Sequence, residues 1–126
     1  MLLTMDMGLQ LIKINIIPNP KKNQISYSKI SSEIINTHKL IINCTPIGTY
    51  PNINIAPKID YNLLTSEHFL FDLIYNPKET NFLKKGKIYG HATTNGKMMF
   101  IYQAHQSFTI WNKVMPKIDD ETIKLI

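Results

Sequence analysis

The sequence predicts an α/β fold, a partial, Rossmann-like, doubly wound parallel sheet with a long C-terminal helix. Three observations predict it. Leu9–Ile17, Leu40–Asn43 and Phe69–Tyr75 are continuous apolar runs, as in strands covered on both faces, and do not alternate. Stretches with helical spacing separate them, the order expected of βαβ units. The last helical stretch, Lys97 to Lys113, reaches roughly 25 Å at about 1.5 Å per residue.

Leu9–Ile17 is rich in isoleucine and is stopped by Pro18-Asn19-Pro20, because proline donates no ladder hydrogen bond. Ile25–Tyr27 predicts a short strand. Ser28 caps a helix running to about Thr37, with Ile30, Ile34 and Ile35 on one face. Leu40–Asn43 is the second buried strand and runs into a loop punctuated by Pro46, Gly48 and Pro51. A short helix around Tyr61 to Leu64 precedes the third strand, Phe69–Tyr75, which Asn76-Pro77 ends. Lys78–Lys87 predicts a helix with Phe82 and Leu83 on its apolar face. Gly90–Thr94 predicts a short strand, and Asn95-Gly96 opens the long helix. Met98, Met99, Phe108 and Trp111 are assigned to the core. In such sheets ligands bind at the carboxyl ends of the strands, so the loops after Ile17, Ile42 and Ile74 matter most.

The 126 residues suit one domain. With 44% hydrophobic and 18% charged residues, the chain is neither disordered nor collagen-like. All 14 basic residues are lysine, and the formal charge is +5. This balance suits an anionic partner such as a phosphate-bearing cofactor, or simply a soluble surface. Without arginine, forked recognition of guanine or phosphate is unavailable, which argues against a nucleic-acid partner. One cysteine, Cys44, allows no intrachain disulfide and points to a reducing compartment, the cytoplasm. The first residues lack a basic n-region, and no apolar run approaches the roughly 20 residues of a membrane span. His38, His68, His91 and His105 are widely spaced, so no metal site is expected. No Gly-x-Gly-x-x-Gly turn occurs. Gly8 stands alone, and the chain begins about where the first helix of a dinucleotide-binding unit would end.

Three segments carry a family resemblance: Leu40-Ile41-Ile42-Asn43-Cys44-Thr45-Pro46-Ile47-Gly48; Phe71-Asp72-Leu73-Ile74-Tyr75-Asn76-Pro77-Lys78-Glu79-Thr80-Asn81-Phe82-Leu83; and Asn95-Gly96-Lys97-Met98-Met99-Phe100-Ile101-Tyr102-Gln103-Ala104 with Phe108 and Trp111. In this order and spacing, from about Leu9 to Lys113, the chain resembles the C-terminal, NADP-binding half of shikimate dehydrogenase. The resemblance implies that residues 1–126 are a partial C-terminal cofactor-binding domain. The family's N-terminal substrate domain, which supplies the acid–base Lys and Asp, and its Gly-rich turn are not represented. No catalytic residue is therefore assigned.

By resemblance, Tyr75 and Gln103 bind substrate, which is shikimate or 3-dehydroshikimate; read from the residues alone, Tyr75 can equally pack in its turn and Gln103 face solvent. Leu73 (through its backbone), Gly96 and Lys22 bind the cofactor, NADP. A Gly at a helix amino end also lets backbone and anion approach closely, although Asn-Gly is equally a plain turn. Met98 borders the nicotinamide side by the same resemblance. The family carries an Arg after the first strand for the 2′-phosphate of NADP. Here Pro18 stands at that place and Lys22 falls near a second basic position, so the fork that distinguishes NADP from NAD is missing. Asn43, Thr45 and Gly48 belong to a loop the family uses near the cofactor, or to a turn fixed by Pro46 and Gly48. Cys44 is read as a small buried hydrophobe. The implied function is part of an NADP-dependent oxidoreductase that interconverts 3-dehydroshikimate and shikimate in aromatic amino acid biosynthesis, inactive as a lone chain. The alternative is a non-catalytic interaction domain that pairs with a separately encoded N-terminal half.

Overall fold

A computed structural model describes residues 11–14, 25–89 and 92–125. Four strands lie side by side in chain order, all parallel: β1 (Leu11–Ile14), β2 (Leu40–Asn43), β3 (Phe69–Asp72) and β4 (Ala92–Thr94). Leu11 pairs with Leu40, Leu40 with Phe69 and Phe69 with Ala92, so all four carboxyl ends reach one edge. The parallel sheet and the long helix agree with the fold class that the sequence predicts.

β2 falls on the residues the sequence marks. The remainder of Leu9–Ile17, with Pro18, and also Gly90 and His91 lie outside the described residues. β3 is shorter than Phe69–Tyr75. The Asp72 carboxylate accepts the Ile74 amide at 3.1 Å and turns the chain out of the sheet, while the Leu73 amide still reaches Asn43 O at 3.1 Å.

Ile25–Tyr27 is not a strand. A 3-10 turn occupies Tyr27–Lys29, and the Lys29 amide bonds Ser26 O at 2.9 Å. Ser26 and Ser28 hydroxyls bond each other at 2.8 Å, a local alternative to ladder pairing. The next helix, α1, spans Ser32–Thr37, and its cap is Ser31, whose Oγ accepts from the Ile34 amide at 3.3 Å. Ser28 therefore caps nothing, and Ile30 precedes the helix. Similarly α2 spans Asn81–Ile88, three residues later than expected at its start, because Thr80 caps it. Tyr61–Leu63 is a 3-10 turn.

The core gathers Ile35 of α1, Ile41 and Leu70 of the strands, Tyr61, Leu64, and Phe82 and Leu83 of α2. A Cβ on Gly86 would stand 2.7 Å from Leu70 Cδ2, so α2 lies close upon the sheet. Against the expectation of cover on both faces, burial alternates along the strands: Ile41, Asn43, Leu70 and Asp72 are buried under α1 and α2, while Leu40, Ile42 and Phe71 on the other face are half-buried and Phe69 is exposed.

The long helix, α3, spans Lys97–Asn112, and Lys113 caps it in the left-handed region (φ 56°). Its buried residue is Ile101. Met98, Phe108 and Trp111 are exposed and Met99 is half-buried, against their assignment to the core. Apolar residues are spread around α3, so no single orientation buries them all. A further helix, α4 (Asp120–Lys124), has no counterpart in the sequence reading. Asp119 caps it by accepting from the Thr122 amide at 2.9 Å. No helix among the described residues is long and apolar enough to cross a membrane.

Candidate functional site at the carboxyl edge of the sheet

The three motifs meet where β2, β3 and β4 end. Asn43 is the last residue of β2 and Asp72 the last of β3; they are register partners and both are fully buried. Asn43 Nδ2 donates to Asp72 Oδ1 at 3.1 Å. Asn43 Oδ1 accepts from the Thr45 amide (3.1 Å) and the Thr45 hydroxyl (2.7 Å), which closes the loop entering Pro46. Thr80 Oγ1 donates to Asp72 Oδ2 at 2.5 Å while capping α2. Burial pushes the Asp72 carboxyl above its ordinary pKa; the hydrogen bonds from Thr80, Ile74 and Asn43 pull the other way. Gly48 takes φ 104°, a backbone that side chains resist, and its missing Cβ faces Thr80. Cys44, between these groups, is half-buried, not fully buried.

Gly96 is brought directly against Leu73. A Cβ there would stand 2.0 Å from Leu73 O, so only glycine lets the two backbones meet. The Gly96 amide bonds Ile74 O at 3.1 Å, and Asn95 Nδ2 donates to Lys78 O at 2.8 Å. Asn95 Oδ1 accepts from the Lys97 amide at 3.2 Å. These contacts root α3 on the segment after β3. Tyr75, 40% exposed, stacks on Phe100 of α3 with ring centroids 4.6 Å apart and planes 22° apart. Gln103 lies one turn beyond Phe100 and is exposed.

Thr49, Tyr50, Leu73, Ile74, Tyr75 and Asn76 line a cleft of about 350 Å³ at this edge. A second groove of about 400 Å³ runs along α3 and holds Phe100, Gln103 and Trp111. The structure thus joins Leu73, Gly96 and Tyr75, and sets Gln103 beyond Phe100. Lys22 lies outside the described residues. Asp72, Thr80 and Phe100 lie within the three motifs, and the resemblance implies no role for them. The signal for Asp72 was available: one carboxylate inside an otherwise apolar strand needs donors to justify its burial.

A parallel sheet with a helix amino end rooted at its carboxyl edge defines the class: a Rossmann-like α/β unit. Within that class, the chain is similar to shikimate dehydrogenases, as the three motifs imply. The NADP(+) shikimate dehydrogenase of Pelagibacter ubique is 52% identical over 87 residues, 69% of this chain and 32% of that protein. A solved shikimate dehydrogenase in complex with NADP+ superposes with a TM-score of 0.65 at 43% identity, covering 72% of this chain and 31% of the other. A quinate dehydrogenase from Corynebacterium glutamicum, solved with NAD, superposes at 0.63 with 27% identity, covering 74% and 32%. No family model matches the chain. The chain spans about a third of the length of the curated relatives it matches.

Proposed function

We propose that this chain forms the cofactor side of an NADP-dependent shikimate dehydrogenase, which reversibly reduces 3-dehydroshikimate to shikimate. The observation that carries the reading is the Gly96–Leu73 junction, because it sets the start of the third motif directly behind the second-motif residues Leu73 to Tyr75 that line the cleft. In this reading Leu73 offers backbone, and Gly96 a helix amino end, to the nicotinamide side of the cofactor. Lys22 meets its 2′-phosphate as a point charge, which without a fork gives little preference for NADP over NAD. Tyr75 and Gln103 hydrogen-bond substrate hydroxyls. The acid–base Lys and Asp of the family come from a second segment, in a longer polypeptide or a separate chain. Hydride donor, carbonyl and proton donor must be held together for turnover, so the 126-residue chain alone is inactive.

The test is complementation. The chain alone should show no shikimate-dependent NADP reduction. With an N-terminal half from a relative supplied separately, turnover should appear. Tyr75→Phe and Gln103→Ala should then each lower catalytic efficiency about 2- to 150-fold, the loss of one hydrogen bond of roughly 0.5 to 3 kcal/mol. Activity indifferent to both changes overturns the substrate assignment. Calorimetry should show weak NADP binding with little preference over NAD, because Pro18 replaces the fork-bearing Arg. Tight binding selective for NADP would show that Lys21 and Lys22 replace it.

A second reading is favoured by the exposure of Ile110 and Trp111, at 61% and 79%. Under it the chain is a non-catalytic interaction domain that pairs with a separately encoded N-terminal half. Association without turnover in the same experiment supports this reading.

A further inference from the structure

Among the described residues, Asp72 is the one buried acidic side chain. Its oxygens are shared between three parts of the chain. Oδ1 accepts from Asn43 Nδ2 and from the Ile74 amide, each at 3.1 Å, and Oδ2 from Thr80 Oγ1 at 2.5 Å. Each donor leads onward. Asn43 Oδ1 accepts from both donors of Thr45, its amide and its hydroxyl, at the start of the loop after β2. Thr80 caps α2 and faces Gly48. Ile74, held at its N–H, presents the carbonyl of the next peptide unit to the Gly96 amide, where α3 is rooted. Converging donors match a carboxylate, which accepts at both oxygens and donates nothing. An amide of the same shape keeps one accepting oxygen but loses the charge, and its NH₂ forces the Thr80 hydroxyl to turn from donor to acceptor.

We propose that Asp72 is a positioning residue, which locks the loop after β2, the Leu73–Tyr75 segment and the root of α3 into one ligand edge. Its value for catalysis rests on the function proposed above; the mechanical coupling does not, and it is measurable without ligand. Asp72 itself touches neither substrate nor cofactor in this account. It acts through Asn43, Ile74 and Thr80.

The experiment is site-resolved amide hydrogen exchange on the 126-residue chain, wild type against Asp72→Asn, with Ile35→Val as a reference for general destabilisation. Asp72→Asn should speed exchange at Thr45, Ile74 and Gly96 about tenfold more than at Leu70, because a charge-assisted hydrogen bond is lost at the hub. Ile35→Val should speed all four alike. Equal acceleration at all four amides in Asp72→Asn, or none at Gly96, overturns the proposal. Should Asp72→Asn not fold, Thr80→Val removes one donor and keeps the charge. It should speed Ile74 and Gly96 over Leu70 by a smaller factor, and no difference overturns the coupling. NADP titrated into the same wild-type sample reports separately on the function. Absence of binding there counts against the cofactor reading and leaves the exchange pattern to decide the role of Asp72.

Discussion

The carboxyl ends of β2 and β3 and the helix α3 carry the two halves of the candidate site, and they are held in opposite ways. At the strand ends Asn43, Thr45, Asp72 and Thr80 are buried and hydrogen-bonded to one another, above a core of Ile41, Leu70 and Phe82. On α3, Tyr102, Phe108, Ile110 and Trp111 are exposed. That helix is fastened at its root, by Gly96 and the Tyr75–Phe100 stack, and its His105 Nε2, 2.7 Å from Pro116 O, holds the segment that follows it. The difference teaches where each half obtains its order. The strand ends are ordered by this chain's own core, while the position of Gln103 depends on a few contacts at one end of a helix.

The largest effect should come from below the strand ends. Phe82 is fully buried and meets the Tyr61 ring edge-on, with centroids 6.3 Å apart. Phe82→Ala should cost about 3 to 5 kcal/mol, enough to unfold much of the population. Denaturant unfolding checks this. A loss below about 1 kcal/mol would show that the core does not support the site as described.

Next comes the junction between the halves. Gly96→Ala places a Cβ 2.0 Å from Leu73 O and 2.6 Å from Leu73 C, both backbone atoms. No rotamer relieves this, so α3 must shift from its root. A stability loss of about 1 to 3 kcal/mol is expected, the usual range for overpacking. Calorimetric melting measures the loss. Nuclear Overhauser contacts between the Tyr75 and Phe100 rings report the shift of α3. Unchanged contacts together with unchanged stability would separate Gly96 from Leu73.

The sequence made these regions legible to unequal degrees. β2 and the start of α3 were readable because an apolar run and an Asn-Gly step are local signals. Helix starts were misplaced where several candidate caps stood close together. Ser28 and Ser31 both fit as caps, and which hydroxyl meets an amide is decided by the turn between them. Tyr75 was placed inside a strand because nothing local shows the Asp72 carboxylate taking the Ile74 amide. The motifs led to Leu73, Gly96 and Tyr75, which do converge. They did not reveal that the Gly96 position is needed for Leu73 of the same chain. The exposure of Met98, Phe108 and Trp111 was illegible for a different reason. Apolar composition shows that a surface favours burial, and not what lies against it.

A smaller effect should follow from cutting the aromatic tie. Tyr75→Leu removes a ring stacked on Phe100 at 4.6 Å, and Tyr75 is partly exposed already. The expected loss is about 0.5 to 1.5 kcal/mol, the worth of an aromatic pair. Thermal unfolding measures it. A larger loss would mean that this stack, more than Gly96, is what holds α3.

The smallest effect should appear at the far end of α3. Trp111 is 79% exposed, and its neighbours Ile110 and Asn112 are exposed as well. A tryptophan in solvent gives up little transfer free energy when removed, so Trp111→Ala should change stability by no more than about 0.5 kcal/mol. Urea unfolding of the 126-residue chain, followed by circular dichroism to avoid the lost fluorophore, checks this. A loss above about 1 kcal/mol would place the ring against another surface in solution, and the contrast between the two halves of the site would fail. The same substitution acquires a second meaning in the complementation experiment. There a silent change in the lone chain that weakens association with the supplied N-terminal half would assign the apolar end of α3 to that contact. A change silent in both settings would leave Ile110 and the first turns of the helix to carry it.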